Sequence, residues 1–131
     1  MPRSPANKSR SERRFNEQAG RRGEAWAALF LTLKMYRIIG RRVKTPLGEI
    51  DLIARRGQDL VFVEVKARAF SSGEEEALFA VNRARIVRAA QFWLVRQPAL
   101  AEANPRFDVI FLAPFAWPRH ITGAFDATGL L

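Results

Sequence analysis

The chain has no cysteine and a single histidine. Without thiols, no disulfide framework, thiolate metal centre or cysteine nucleophile can be built. Also missing are a Gly-rich phosphate loop, a Ser/His/Asp set and a dinucleotide-binding fingerprint. Long apolar runs are absent too. The longest, AWAALFLTL, falls far short of the ~20 residues that cross a bilayer. The opening MPRSPANKSRSERRF lacks the apolar centre of a secretory signal. No internal repeat or interior linker stands out. The expectation is a soluble, cytoplasmic protein with no membrane partner, and the missing cysteine suits a reducing compartment.

Acidic residues are the minority among the charges. Lys and Arg number 22 against 13 Asp and Glu, a formal net charge of +9. Residues 1–22 hold seven basic and two acidic groups, so the excess is shared between this segment and the rest. Such a chain attracts polyanions, nucleic acid before anionic membrane. At 131 residues it supports one core. Residues 1–12 are expected to be a disordered basic arm, and 13–131 a single domain.

From Glu12 to Lys34, apolar residues Phe15, Ala19, Trp26, Leu29, Phe30 and Leu33 recur at helical spacing, with Gly20 and Gly23 weakening the middle. YRIIGRRVK predicts a strand kinked near Gly40, and a hairpin follows over Glu49–Arg55 and Leu60–Arg68. AFSSGEEEALFAV reads as an acidic loop or short helical turn. Asn82 is expected to cap a second helix that ends near Arg96, before Gln97-Pro98. RFDVIFLA predicts a strand and HITGAF a short last one. The order is α-β-β-β-α-β with one further strand, an α/β mixed sheet flanked by helices.

GEIDLIARRGQDLVFVEVKAR raises the functional question, because Glu49, Asp51, Glu64 and Lys66 interrupt an otherwise apolar hairpin. With Gly57-Gln58 as a type II′ turn, Asp51 falls opposite Glu64, and Glu49 opposite Lys66. Val61, Val63 and Val65 line one face of the second strand, and Leu60, Phe62, Glu64 and Lys66 the other. Both faces begin apolar, as in a central strand covered on both sides. Two facing carboxylates there repel and resist desolvation. A divalent cation such as Mg²⁺ or Mn²⁺ answers that need with oxygen ligands, and its chemistry suits phosphodiester hydrolysis. Lys66 would then hold water or offset phosphate charge. The plainer alternative is a solvated strand face with a Glu49–Lys66 pair.

These segments also carry a likeness. GRRGEAWA, GEIDLIA, VFVEVKAR, RIVRAAQFWL, RFDVIFL and GAF, spanning about Gly20 to Phe125, resemble the YraN-like (UPF0102) family of small bacterial proteins. That family is similar to the PD-(D/E)xK nuclease superfamily and to Holliday-junction-resolvase-like folds. The resemblance implies a restriction-endonuclease-like αβββαβ core, Asp51 and Glu64 as metal ligands, and Lys66 as the catalytic lysine. It also implies Glu24 as a helical acid completing the site, where sequence alone reads a helix-surface acid. Ile50 replaces the superfamily's proline, and Asn82 stands where a lysine often precedes the second helix's basic residues.

The expected function is a Mg²⁺- or Mn²⁺-dependent endonuclease acting on nucleic acid, DNA favoured over RNA, including structured repair or recombination intermediates. Its metal set is Asp51, Glu64, Glu24 and the Val65 carbonyl, and its catalytic set Asp51, Glu64 and Lys66. Arg68, Arg83, Arg85 and Arg88 are candidates for phosphate contact, the last three aided by the amides of a helix they open. The alternative is a catalytically weak or inactive nucleic-acid-binding module of the same fold; a homodimer is a further option. Glu74–Glu76 read as a helix-start acid cluster or loop. Asp108 is expected to pair with Arg106, His120 is not taken as a base, and Trp26, Trp93 and the phenylalanines read as core. Trp117 reads as a residue capping the core, with base stacking as its alternative.

Overall fold

The computed structural model describes residues 23–67 and 72–125. The expected arm at 1–12, the first turns of the first helix and Arg68 lie outside the described residues. Helix α1 covers 23–33, followed by β1 (Arg37–Thr45), β2 (Gly48–Arg56) and β3 (Asp59–Lys66). Helix α2 (Gly73–Val95) crosses to β4 (Asn104–Phe111), and β5 (Arg119–Phe125) closes the sheet. The strands lie in the order β1-β2-β3-β4-β5. Only β3 and β4 are parallel; the other neighbours are antiparallel. This is an α/β fold with a mixed five-stranded sheet, consistent with a restriction-endonuclease-like core. No described helix is long and apolar enough to cross a membrane.

The sheet is covered on both faces. Ala27, Ala28 and Leu31 of α1 pack on Leu52, Ala54, Val61 and Val63; Ile86, Val87, Ala89 and Ala90 of α2 pack on Ile53, Leu60 and Phe62. The split between odd and even residues of β3 follows its period of two. On α1 the face turned to the sheet differs from the expected one. Leu29 and Leu33 are exposed, whereas Glu24, Ala27, Ala28 and Leu31 are buried. The small alanines let the helix lie close to the strands, and that spacing of three and four carries Glu24 inward with them. The helix ends in a Schellman motif: Tyr36 N–H bonds the Leu31 carbonyl and Met35 N–H the Thr32 carbonyl, with Met35 left-handed at φ 72°.

The hairpin register is the expected one, with Leu52 opposite Val63 and Arg56 opposite Asp59. Gly57 has φ 62° and Gln58 is not among the positive-φ residues, which is the type II′ pattern. The kink near Gly40 is a register shift between Ile38 and Gly40. Helix α2 begins nine residues earlier than expected, at Gly73 rather than Asn82. Glu, Ala and Leu are strong helix formers, and acids at a helix N-terminus complement its dipole. The acidic run is thus the first turn, and Asn82 is an exposed helical position rather than a cap.

A buried polar cluster fastens β5 to β4. Asp108, fully buried, accepts from Arg106 Nε and Nη2 at 2.9 Å each, from the Gly123 N–H at 2.9 Å, and lies 2.7 Å from His120 Nε2. His120 Nδ1 is 2.6 Å from Lys34 Nζ; the lysine donates there, so Nε2 carries the hydrogen that reaches Asp108. Arg106 also donates to the Tyr36 hydroxyl at 2.7 Å and pairs with Asp59 at 3.3 Å. Burial opposes the Asp108 charge, yet the His120, Arg106 and Gly123 hydrogen bonds outweigh it and hold the acid at about 2. The expected Arg106–Asp108 pair is therefore present.

Because the folded acid titrates below its ordinary 3.8, its stabilisation is complete above that value and lost as pH falls toward about 2. Asp108→Asn is expected to lower stability by about 3 kcal/mol, as when one partner of a buried pair is removed. Its denaturant midpoint should also lose much of the wild-type dependence on pH between about 4 and 2; an unchanged acid limb would contradict this.

Candidate functional site

The antiparallel ladder between β2 and β3 stops at Leu52–Val63. Beyond it the two strands part. Across the other edge of β2, Arg41 faces Leu52 and Val43 faces Ile50, so Arg42 and Asp51 form the rung between. Arg42 is left-handed, at φ 48°. Leu52 packs on the α1 side and Ile50 on the α2 side, although residues two apart on a regular strand share a face. The β1–β2 ribbon therefore turns over at this rung. Asp51 sits where the strand leaves the ladder.

The gap has a chemical consequence. Val65 N–H, pointing toward β2 with no ladder carbonyl opposite, donates instead to Asp51 Oδ2 at 2.9 Å. A strand residue's N–H and C=O point the same way, so the Val65 carbonyl faces this gap as well. The Asp51 and Glu64 carboxyls share a side-chain hydrogen bond, and Lys66 Nζ lies 3.4 Å from Glu64 Oε1. Lys66 also stands 5.2 Å from the Phe79 ring centroid of α2, a cation–π contact on the face shared with Glu64. The expected opposition of positions 51 and 64 is realised through side chains across parted strands, not through backbone pairing.

Glu24 enters from α1. It is 7% exposed, with Oε2 3.6 Å from Arg42 Nε. Its other oxygen is buried without a hydrogen-bond partner. The reading of Glu24 as a helix-surface acid fails, because the alanine-rich stripe that carries it faces the sheet. Glu49 leaves for Arg42 at 3.4 Å and sits opposite Lys44, so the alternative of a Glu49–Lys66 pair is not formed. Arg42 is the residue that sequence reasoning missed. It clamps two acids through a backbone conformation that no periodicity announces.

The charges remain undercompensated. Burial pushes the Glu64 carboxyl up to about 7, with the Asp51 charge adding to the shift and Lys66 opposing it. Burial likewise raises Asp51 against the Val65 hydrogen bond, and raises Glu24, with Asp51 adding to that shift. Among the described residues, Lys66, Arg42 and Arg41 oppose these shifts without cancelling them. Among the described residues, no three acidic, histidine or cysteine side chains gather as a ready-made metal centre. The arrangement is a carboxylate pair with a third acid beside it. All donors are oxygens, one of them orphaned, which is the set hard divalent cations such as Mg²⁺ and Mn²⁺ take.

The arginines are placed differently from expectation. Arg83, Arg85 and Arg88 lie within α2, about three to four turns from its start, not at its opening. Amides of the helix N-terminus therefore do not assist them. All three are exposed. The Arg85 stem runs over Gly48, where an added Cβ would meet its Cγ at 3.0 Å, so Arg85 lies at the entry of the strand bearing Asp51.

The fold and site together define an α/β protein with a mixed sheet of the restriction-endonuclease-like kind and an acidic gap between its second and third strands. The chain belongs to a family described as "Uncharacterised protein family UPF0102", whose model matches residues 23–112. It is 48% identical over 120 residues to a UPF0102 protein of Methylorubrum extorquens (strain PA1), covering 92% of this chain and 94% of that one. A UPF0102 protein of Rhodopseudomonas palustris (strain BisB18) is 46% identical over 127 residues, covering 96% and 94%. One from Parvibaculum lavamentivorans is 48% identical over 106 residues, covering 81% and 80%. The matched span contains Glu24, Asp51, Glu64 and Lys66.

The raised acids set the sign of a pH effect. Folded Glu64 keeps its proton to about 7 against an ordinary 4.5, so its contribution to the stability of metal-free protein is fully present below 4.5 and lost as pH rises through 7. Melting in EDTA across this range should show that decline. Asp51→Asn removes the neighbouring charge but not the burial and should make the decline shallower; an equal decline in the variant would refute the coupling.

Proposed function

We propose that this protein is a metal-dependent nuclease that hydrolyses phosphodiester bonds in DNA. One observation carries the reading: Asp51, Glu64 and Lys66 meet in a gap of a buried sheet, beside an orphaned Glu24 oxygen. Buried carboxylates held against one another are costly, and such groups concentrate at functional sites.

Asp51 and Glu64 would hold Mg²⁺ or Mn²⁺, with the Val65 carbonyl and Glu24 beside them. When bound, such a cation supplies Lewis acidity toward a phosphoryl oxygen and toward water. The chain's own residues do the positioning. The Val65 N–H fixes the Asp51 carboxylate. Lys66 Nζ orients the attacking water and offsets charge that builds on the phosphate. Arg85 and the other α2 arginines draw the backbone in, consistent with the +9 charge.

A second reading, a binding module of weak or no activity, draws on Arg42. Its guanidinium already stands between Glu24 and Glu49, a charge partner built into the chain.

A cleavage panel of branched, flapped, single- and double-stranded substrates with Mg²⁺ and Mn²⁺ decides between them. Turnover is expected to fall roughly 10²–10⁴-fold in Lys66→Ala and to vanish in Asp51→Asn, with DNA binding kept. Saturating Mn²⁺ should raise the melting temperature of wild type, by about 2.7 kcal/mol of stability at a hundred times its Kd, and leave Asp51→Asn unmoved. No cleavage and no Mn²⁺ response would leave the binding module standing.

A further inference from the structure

Opposite expectation, the loop joining β4 to β5 (112–118) does not cap the core. Phe115 is fully exposed, at 109%, and Trp117 is 73% exposed. The Trp117 ring stacks on Trp26 of α1, with centroids 6.1 Å apart and planes at 27°. Phe115 is left-handed, at φ 59°, a conformation bulky side chains rarely adopt. These rings and Ala113 and Ala116 line an open cleft of about 440 Å³, within the roughly 300–1,000 Å³ usual for ligand clefts. Among the described residues, no charged side chain lines it.

Two contacts tie the loop and helix that line the cleft to the elements that bear the acidic gap. Leu112, which starts the loop, donates its N–H to the Lys66 carbonyl at 2.8 Å. A single strand spacing, roughly 5 Å, thus separates Lys66 from the strand feeding the platform. On α1, Gly23, next to Glu24, packs so closely on Leu112 that an added Cβ would lie 3.1 Å from its Cδ1. Trp26 lies one helical turn beyond Gly23, on the same flank.

From this placement we infer that Trp26, Phe115 and Trp117 form a stacking platform for unpaired nucleobases of a strand whose backbone runs into the Asp51–Glu64–Lys66 gap. The inference rests on the nuclease reading and narrows its substrate to nucleic acid with a single-stranded stretch beside the scissile phosphate. Aromatic faces accept any base, so stacking on these rings predicts binding that tolerates sequence. The basic chain complements the phosphates that accompany those bases. A base pair inside a duplex has no free face to offer the rings.

Tryptophan emission tests it without any cleavage. Full-length protein in EDTA at low salt is titrated with a mixed-sequence single-stranded oligonucleotide and with a blunt duplex of equal length. Trp93, which packs against Phe62 under α2, is a reference remote from the cleft. The single strand is expected to quench emission. Trp117→Ala should weaken its binding roughly 5- to 100-fold, the range for losing one base stack, and shift duplex affinity less than twofold. Phe115→Ala, altering a fully exposed ring, is the companion variant that keeps the fold. Asp51→Asn should quench like wild type, which separates the platform from catalysis. Quenching or affinity unmoved by both aromatic variants overturns the platform and leaves the nuclease proposal intact. Equal losses on single strand and duplex overturn it too, and no binding to either nucleic acid overturns both readings. Self-association without oligonucleotide, abolished by Trp117→Ala, would assign the cleft to a second copy and overturn the inference.

Discussion

Beyond Leu52, β2 departs from the ladder it shares with β3, and the Val65 N–H must find another acceptor. A buried amide left unpaired is costly. Here the acceptor is the Asp51 carboxylate, so a charged side chain takes the place of a backbone carbonyl in the middle of a sheet. The geometry of the candidate site follows from this substitution. It draws Asp51 inward, brings it to Glu64, and turns the Val65 carbonyl toward the same opening. The sheet would close as a dry ladder if the ribbon did not turn over at Arg42 and Asp51.

The molecule holds two buried polar centres with opposite electrostatic balance. Around Asp108, donors from Arg106, His120 and Gly123 surround one carboxylate and keep it ionised far below its usual range. That centre is satisfied from within and ties the last strand to the sheet. Around Asp51 and Glu64 the acids outnumber their donors and are pushed up instead. Both centres lie on or beside the parallel β3–β4 pair, the most buried part of the sheet. A complete hydrogen-bond set reads as structure, whereas an incomplete one leaves work for a ligand.

Much of the fold was legible in the residues. The II′ turn placed Leu52 opposite Val63, and the alternation of β3 assigned each side chain to its face, because both signals are local and have a period of two. The second helix was misjudged at its start, since an exposed acidic run resembles a loop until its propensity and the helix dipole are weighed. The aromatic residues misled in another way. Hydrophobicity predicts burial on average, but Phe115 and Trp117 sit in a short proline-framed loop that no described element covers.

The sequence by itself determined the β2–β3 register from Leu52–Val63 to the turn and the shared face of Glu64 and Lys66 on β3, because strand period and turn length count residues without reference to the rest of the chain. It also determined the family. Only the tertiary structure decided that Asp51 meets Glu64 across parted strands, that Glu24 is buried, that Arg42 stands among the acids, and that an aromatic cleft opens on the loop whose first residue bonds the Lys66 carbonyl. Each of these depends on the distance and angle at which a helix, loop or strand approaches the rest of the sheet. Such distances are set by packing between residues far apart in the chain, which no local pattern encodes.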